Sequence, residues 1–374
     1  MKVLFFSNIP VPYRMDFFNE LGKYCKLTVL METNAAKNLN AHWLKSYKVI
    51  NYTLIFLPKI GKTSSNRINY GYHKIIKKGD YDIIIVGSYY SLSAMIFIEY
   101  LKLHRIPFIL NSDGGFIKSD SWIKYKIKKH FISSADAYLS TGKLTTQYLL
   151  HYGAKKKIYV YPFTSMRKSE ICKSRLLSYN RLNIKTQNNI HEKHIILFVG
   201  QFIYRKGIDI LIKALNNIDL NKNDIGVYII GGEQKEEYEN IINKKNIKRV
   251  HFVPFKTKQK LAIFYQIADL FVLPTREDIW GLVINEAMSY GLPIITTDKC
   301  IAGTELVTNY ENGIIVPSNS PQNLENAMNY ILNNENIMHD MGNNSLSKIK
   351  NYTIENMAKT HFEIFHDYLN NKHE

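Results

Sequence analysis

The run "PTREDIWGLVINEAMSYGLP" (274–293) sets an acidic pair, Glu277-Asp278, before a glycine and a short apolar run, with another acid, Glu286, behind them. A helix is expected from about Leu282 to Tyr290, which puts Gly281 at its entrance. Glycine lets a backbone approach a ligand closely. The free N–H groups of a helix start, with the helix dipole, favour a phosphate. Glu286 falls about one turn inside, roughly 5–6 Å along the axis. A carboxylate there suits two adjacent ribose hydroxyls, because it accepts two hydrogen bonds at once. Asp278, on the loop, is placed to reach the other side of the phosphate. The plain alternative is a capped helix carrying a surface glutamate.

A second constellation is "FVGQFIYRKGIDILIKAL" (198–215). A strand ends at Gly200, a short loop carries Arg205-Lys206-Gly207, and an amphipathic helix follows. Two adjacent cations on such a loop are suited to a diphosphate, arginine through its planar fork and lysine as a point charge. A solvated basic loop is the competing reading. The Gly231-Gly232 pair after the next strand is a weaker signal, since glycines end many strands.

Other motifs carry less. "DYD" (80–82) leads straight into the buried run "IIIVG" and reads as a strand-entry turn rather than a metal ligand. "HEKH" (191–194) lacks the spacing of a zinc-binding helix, so no metal site is expected. "NSDGGF" (111–116) follows a strand end and offers Asp113, although Asp-Gly-Gly suits a turn whatever its function. "PVPYR" (10–14) follows the first strand and offers Tyr13 and Arg14. In "FIKSDSWIKYKIKKHF" (116–131), Trp122, Tyr125, Ile127 and Phe131 interleave with Lys118, Lys124, Lys126, Lys128 and Lys129. With Ser121 or Asp120 as a cap, this reads as a basic helix with aromatic anchors, the composition of a membrane-surface element. Ordinary packing with solvated lysines is the alternative.

These residues need a frame to hold them. Short apolar runs alternate with amphipathic stretches along the chain: 2–7, 26–31, 82–87, 107–111, 137–140 and 158–162, then 194–200, 226–232, 249–254, 270–274, 292–297 and 312–317. Continuous apolar strands between helices mean parallel sheets covered on both faces. Two sets imply two doubly wound α/β domains, with ligand sites at the C-terminal strand ends. The expected division is 1–170, a polar linker at 171–193, a second domain at 194–353 and a final helix at 354–374 that packs back on the first domain.

At 374 residues, two domains are the prior. Three scattered cysteines form neither a disulfide framework nor a metal knuckle, which fits a reducing cytoplasm. The apolar start of "MKVLFFSNIPVPYR" is too short for a signal peptide, and no run approaches the ~20 apolar residues of a membrane span. Residues 1–180 hold 28 Lys+Arg and 10 Asp+Glu, a net of +18, while the remaining 194 hold 21 and 22, a net of −1. Such asymmetry points to an anionic partner for the first half, a membrane surface or nucleic acid. No nucleic-acid-binding signature supports the latter.

The order "FVGQF…RKGIDILIKAL", "YIIGGE", "VHFVPF", "ADLFVLPTRED.WGLVINEAMSYGLPIITTD" and "ELV…NGIIVP" resembles the donor-binding half of retaining glycosyltransferase family 4, over about residues 190–320. "SNIPVPYRMDFFNEL" (7–21) is similar to the start of that family's acceptor-side domain. The resemblance implies the GT-B fold, two Rossmann-like domains facing a central cleft. It puts Asp278, eight residues before Glu286, on the donor sugar's hydroxyls, and Glu286 on the ribose. The loop amides of Ile279, Trp280, Gly281, Leu282 and Val283 are implied to hold sugar and diphosphate, with Gly200, Gly232 and Phe255 lining the donor side. The chain departs from the family in having Asp at 278, which leaves Glu277's role open, and in Gln201 where an arginine is common. Lys206 keeps the family lysine, and Arg205 is expected to supply the missing charge.

The combined expectation is a cytoplasmic glycosyltransferase, peripheral on the inner face of the cell membrane. It would move a sugar from a nucleotide sugar to a saccharide or lipid-linked acceptor, with retention, without a cofactor or required metal, in bacterial surface polysaccharide synthesis. Asp278, Arg205 and Lys206 would be catalytic; Tyr13, Arg14 and Asp113 acceptor-side; Trp122, Lys124, Tyr125, Lys128 and Lys129 membrane-facing. The rivals are a nucleotide-sugar epimerase or hydrolase of the same fold, and a non-catalytic membrane scaffold.

Overall fold

The structure, a computed structural model, describes residues 1–34, 48–61, 67–172, 178–221, 224–232, 236–244 and 247–371. Residues 173–177 of the expected linker, and Glu233 of "YIIGGE", lie outside the described residues. The chain forms two units, 1–165 with 352–374, and 166–351.

In the first unit the strands are β1 (Lys2–Ser7), β2 (Lys26–Met31), β3 (Thr53–Phe56), the small hairpin β4 (Lys59–Ile60) and β5 (Ile68–Asn69), then β6 (Ile83–Val86), β7 (Ile109–Ser112), β8 (Ala137–Ser140) and β9 (Ile158–Val160). Seven of them make one parallel sheet in the order β3-β2-β1-β6-β7-β8-β9. β1 lies in register with β2 from Lys2 opposite Lys26 to Ser7 opposite Met31. Val3 to Phe6 are wholly buried, as strands covered by helices on both faces must be. β3 and the hairpin were not anticipated. β3 is a short, half-exposed edge strand cut off by Pro58, so it lacks the continuous apolar run that betrays a buried strand.

The second unit holds β10 (His194–Val199), β11 (Ile225–Ile230), β12 (Val250–Val253), β13 (Leu270–Leu273), β14 (Ile294–Thr297) and β15 (Gly313–Val316), all parallel, in the order β12-β11-β10-β13-β14-β15. In each sheet the chain winds outward from a central strand, then returns to its other side. The reversal points are β1/β6 and β10/β13, and crevices at such points are where open α/β sheets bind ligands. Part of the expected linker is built into this unit. The helix Ser178–Gln187 is pinned by Arg181 on Asp269 (2.6 Å) and by Lys185 on the carbonyls of Glu192 and Lys193 (3.1 and 2.7 Å).

The last helix, Ile354–Asn370, belongs to the first unit, where it lies on the helix Pro12–Leu21. His361 sits 4.7 Å from the Phe17 ring, Phe362 stacks near Tyr24, and Phe365 is fully buried. Phe365→Ala should therefore cost about 3–5 kcal/mol, the usual range for emptying a phenylalanine site. Urea unfolding of the full chain tests this; a loss under about 1 kcal/mol would mean the helix is only laid on the surface.

Candidate functional site

In the second unit, the loops after β10 and β13 lie side by side at the reversal point of the sheet, and here the expected cations and acid meet. Lys206 Nζ is paired with Asp278 Oδ2, and Arg205 Nη1 lies 3.4 Å from Oδ1. Arg205 also donates to the Glu277 carbonyl at 2.6 Å. Glu277 thus contributes its backbone to the cluster. Asp278 is 8% exposed, so the pairing is largely shielded from water.

The backbone around this cluster is tightly specified. The Arg205 carbonyl accepts from the Thr275 hydroxyl (2.9 Å) and the Arg276 N–H (2.8 Å), tying the two loops together. Arg276 closes the clamp: both of its terminal nitrogens donate to the Asp209 carboxylate at 2.8 Å, and its guanidinium stacks 3.8 Å from the Tyr204 ring centre. Burial alone would raise the Asp209 carboxyl, but Arg276 and Lys213 hold it below its ordinary value. Gly207 turns the chain at φ +71°, and a Cβ there would stand 2.1 Å from the Pro274 carbonyl oxygen. The stem of Lys206 runs past Gly200, within 3.7 Å of where a Cβ would project.

Gly281 is the N-cap of the helix Leu282–Ser289, at φ +97°, with Cys300 Sγ 2.7 Å from any added Cβ. The helix thus starts where the sequence implied. Asp278 is fixed by an N–H bond to the Lys299 carbonyl (2.8 Å) and by its own carbonyl to Ile301 N–H (3.2 Å). Glu286 lies inside the helix, and its Oε2 accepts from the Tyr265 hydroxyl at 2.9 Å. Ile279 and Phe255 are exposed, Leu282, Val283, Gly200 and Gly232 half-buried. Trp280, expected to serve through its backbone amide, uses its side chain to support the loop. Its side chain is 4% exposed, and its indole N–H donates to Asn285 Oδ1 at 2.8 Å, bracing the loop from beneath.

In the first unit, the three acceptor-side candidates converge at the C-terminal sheet edge. Arg14 is paired with Asp113 Oδ2, while Asp113 Oδ1 accepts from Asn111 (2.9 Å) and the Tyr161 hydroxyl (3.2 Å). Tyr13 lies beside the Arg14 guanidinium, 5.9 Å from ring centre to Cζ. Burial pushes the Tyr13 and Tyr161 phenols up, so both remain donors. Beneath them is His361, its Nδ1 proton given to the Met357 carbonyl at 2.7 Å; burial lowers its pKa to about 4, so the ring is neutral. Neighbouring loops are joined by Asn8, which donates to the Tyr90 hydroxyl at 3.0 Å.

The basic segment is a helix, Trp122–Ile132, capped by Ser121, whose side chain accepts from Lys124 N–H at 3.5 Å. Its faces are not as expected. Tyr125 packs on His151 and Tyr152, and Lys128 is tied to Asp120 (2.7 Å) and the Tyr152 hydroxyl (3.2 Å), so neither faces outward. The outward stripe is Trp122 (73% exposed), Ile123 (65%) and Ile127, with Lys126 over the Trp122 ring at 5.6 Å and Lys124 and Lys129 exposed alongside. Among residues the sequence did not single out, Arg276 stands in the quoted motif itself. Asp209, Tyr265 and His361 carry no signal beyond ordinary helical patterning, because their partners are distant in sequence.

Residues 180–348 match the family model described as glycosyl transferases group 1. An uncharacterised glycosyltransferase of Methanocaldococcus jannaschii is 27% identical over 246 residues, 65% of this chain and 68% of that protein. The O-antigen chain mannosyltransferase C of Escherichia coli is 23% identical over 302 residues, 79% of this chain and 78% of that one. Two further glycosyltransferase relatives are matched over only 48% and 45% of their length. The crystal structure of Anabaena HepE in complex with UDP shares the fold, with a TM-score of 0.77, 15% identity, and 98% and 100% of the two chains covered.

The shielded pair makes a direct prediction. Lys206→Met leaves Asp278 with Arg205 alone and should destabilise by about 2–3 kcal/mol, below the 3–5 of a fully broken buried pair. Adding Asp278→Asn should recover at least half of that loss. Urea midpoints of the single and double variants check it, and simple addition of the two losses would show that the side chains do not couple.

Proposed function

We propose that this chain, a glycosyltransferase carrying a group 1 domain, transfers a sugar from a nucleotide diphosphate donor to a saccharide or lipid-linked saccharide acceptor during glycan assembly at a bacterial cell surface. The observation that carries this reading is the convergence of Arg205, Lys206 and Asp278 beside the helix entrance at Gly281, at the reversal point of the second sheet. A diphosphate placed there meets two cations and a helix start, and Glu286, about one turn inside, meets the ribose. HepE, whose fold this chain shares, is seen in complex with UDP, and the E. coli relative is named for O-antigen chain mannosyl transfer. Both support the class of donor and of product.

In this reading the acceptor hydroxyl oxygen bonds to the anomeric carbon as the bond from that carbon to the diphosphate oxygen breaks. The departing diphosphate takes the hydroxyl proton, both events on one face of the sugar, so the configuration is retained. Arg205 and Lys206 stabilise the charge growing on the diphosphate, a role that assigns no step to a metal. Asp278 holds the two cations apart and in place before the donor arrives, and its remaining lone pairs face the sugar hydroxyls. The acceptor side is assigned to Asp113, with Tyr13 and Arg14.

The stripe of Trp122, Ile123 and Ile127, flanked by Lys124, Lys126 and Lys129, is assigned to the anionic inner face of the membrane. Aromatic and aliphatic side chains enter the headgroup layer there, and each nearby lysine adds about 1 kcal/mol. This accounts for the +18 of residues 1–180, which a reaction between small molecules gives no reason for.

Thermal-shift screening against UDP, GDP and ADP should give a clear rise with one of them, since a ligand bound only to the native state stabilises by mass action. That rise should vanish in Glu286→Ala. Asp278→Ala should keep most of it while turnover falls on the order of 100-fold or more. No rise with any nucleotide would overturn the donor assignment. For the membrane, joint Trp122→Ser, Ile123→Ser, Lys124→Gln and Lys126→Gln should abolish co-sedimentation with phosphatidylglycerol vesicles and leave nucleotide binding intact. Unchanged sedimentation removes the helix from the membrane role.

A further inference from the structure

We propose that Tyr265 is a positioning residue for sugar-moiety recognition in the nucleotide, fixing the Glu286 carboxylate so that the site distinguishes ribose from deoxyribose. The proposal rests on the reading that Glu286 takes the ribose, and it adds a residue from a different helix to that task.

Tyr265 lies on the helix Lys258–Ile267 and is 2% exposed. Its hydroxyl donates to Glu286 Oε2 at 2.9 Å. Its ring stacks on Tyr290, centres 5.4 Å apart and planes 10° from parallel, and lies 6.0 Å from Phe271. Glu286 and Tyr290 are four residues apart, so they share one side of their helix and its end, the side that meets Tyr265. The tyrosine is therefore held by its ring from two directions, which leaves its hydroxyl no freedom to wander.

A free glutamate side chain turns about three bonds, and accepting two adjacent hydroxyls requires one orientation of its carboxylate plane. A buried phenol bonded to one oxygen selects that orientation and uses one of about four lone-pair positions. Burial and the adjoining carboxylate both raise the phenol far above its ordinary value, so it remains a donor throughout the working pH range. Packing alone does not ask for the hydroxyl: phenylalanine would make the same stack on Tyr290. Burying a hydroxyl without a partner is unfavourable, so its presence here is matched to the carboxylate it meets.

The test is Tyr265→Phe, which keeps the ring. UDP, GDP and ADP are first ranked on the wild type by thermal shift. The one that binds, and its 2′-deoxy counterpart, are then titrated calorimetrically against wild type, Tyr265→Phe, Glu286→Ala and the double variant. The expected result is a roughly tenfold weaker ribonucleotide affinity in Tyr265→Phe, as befits a lost bond to a charged group. The deoxynucleotide should change by less than about twofold, and the double variant should match Glu286→Ala, the mark of coupled residues. An equal loss for both nucleotides would make Tyr265 a packing residue only and overturn the proposal. So would a discrimination ratio that Glu286→Ala erases but Tyr265→Phe preserves. If Glu286→Ala itself leaves the ratio untouched, or no nucleotide binds the wild type, the ribose reading fails and this inference falls with it.

Discussion

The arrangement of the second unit depends on one shielded carboxylate holding two cations. Adjacent Arg205 and Lys206 repel each other, and a short loop offers them every route into solvent. Asp278 removes both problems, with one oxygen on Lys206 and the other 3.4 Å from Arg205. Pairs taken out of water are weak sources of stability, because desolvation offsets their attraction. What such a pair contributes is position. The surrounding bonds make sense in that light: Thr275 and Arg276 join the two loops through the Arg205 carbonyl, and Arg276 anchors itself on Asp209. The cost of keeping charge in a half-buried place is met by over-determining the backbone that carries it.

The first unit solves a similar problem with different residues. Arg14 is buried, and Asp113, with bonds from Asn111 and Tyr161, is the acid that holds it. Below this network lies His361, supplied by a helix that follows the whole second unit in sequence. A charged histidine there would stand near Arg14. Burial keeps it neutral, and its bond to the Met357 carbonyl fixes which nitrogen carries the proton. The edge of the first sheet is therefore complete only when the end of the chain has returned to it.

Much of this was legible in the residues. Buried parallel strands announce themselves as continuous apolar runs, and the expected helix start put Gly281 at the entrance where the structure has it, at φ +97°. Spacing along one segment also placed Glu286 correctly within its helix. What failed to show were pairings between segments. Nothing in "SWIKYKIKKHF" says that Tyr125 and Lys128 turn towards Tyr152 and Asp120 while Ile123 turns outward, because the helix rotation is set by its neighbours. Nor does the motif say that the Trp280 side chain turns under the loop onto Asn285. β3 escaped because edge strands are half-exposed and lose the pattern that marks buried ones.

The aspartate at 278, a departure when judged by resemblance alone, has a physical reason in its setting. Its backbone is bound on both sides, to Lys299 and Ile301, so the carboxylate's reach is set by side-chain length alone. The group lies beside Gly281, where a Cβ would stand 3.6 Å from Oδ2, and against Lys206, whose stem is itself confined beside Gly200. A glutamate there would add about 1.5 Å of reach and one more rotatable bond to order, so its carboxylate would be held less firmly between the two cations. The short acid keeps Arg205 and Lys206 within one grip.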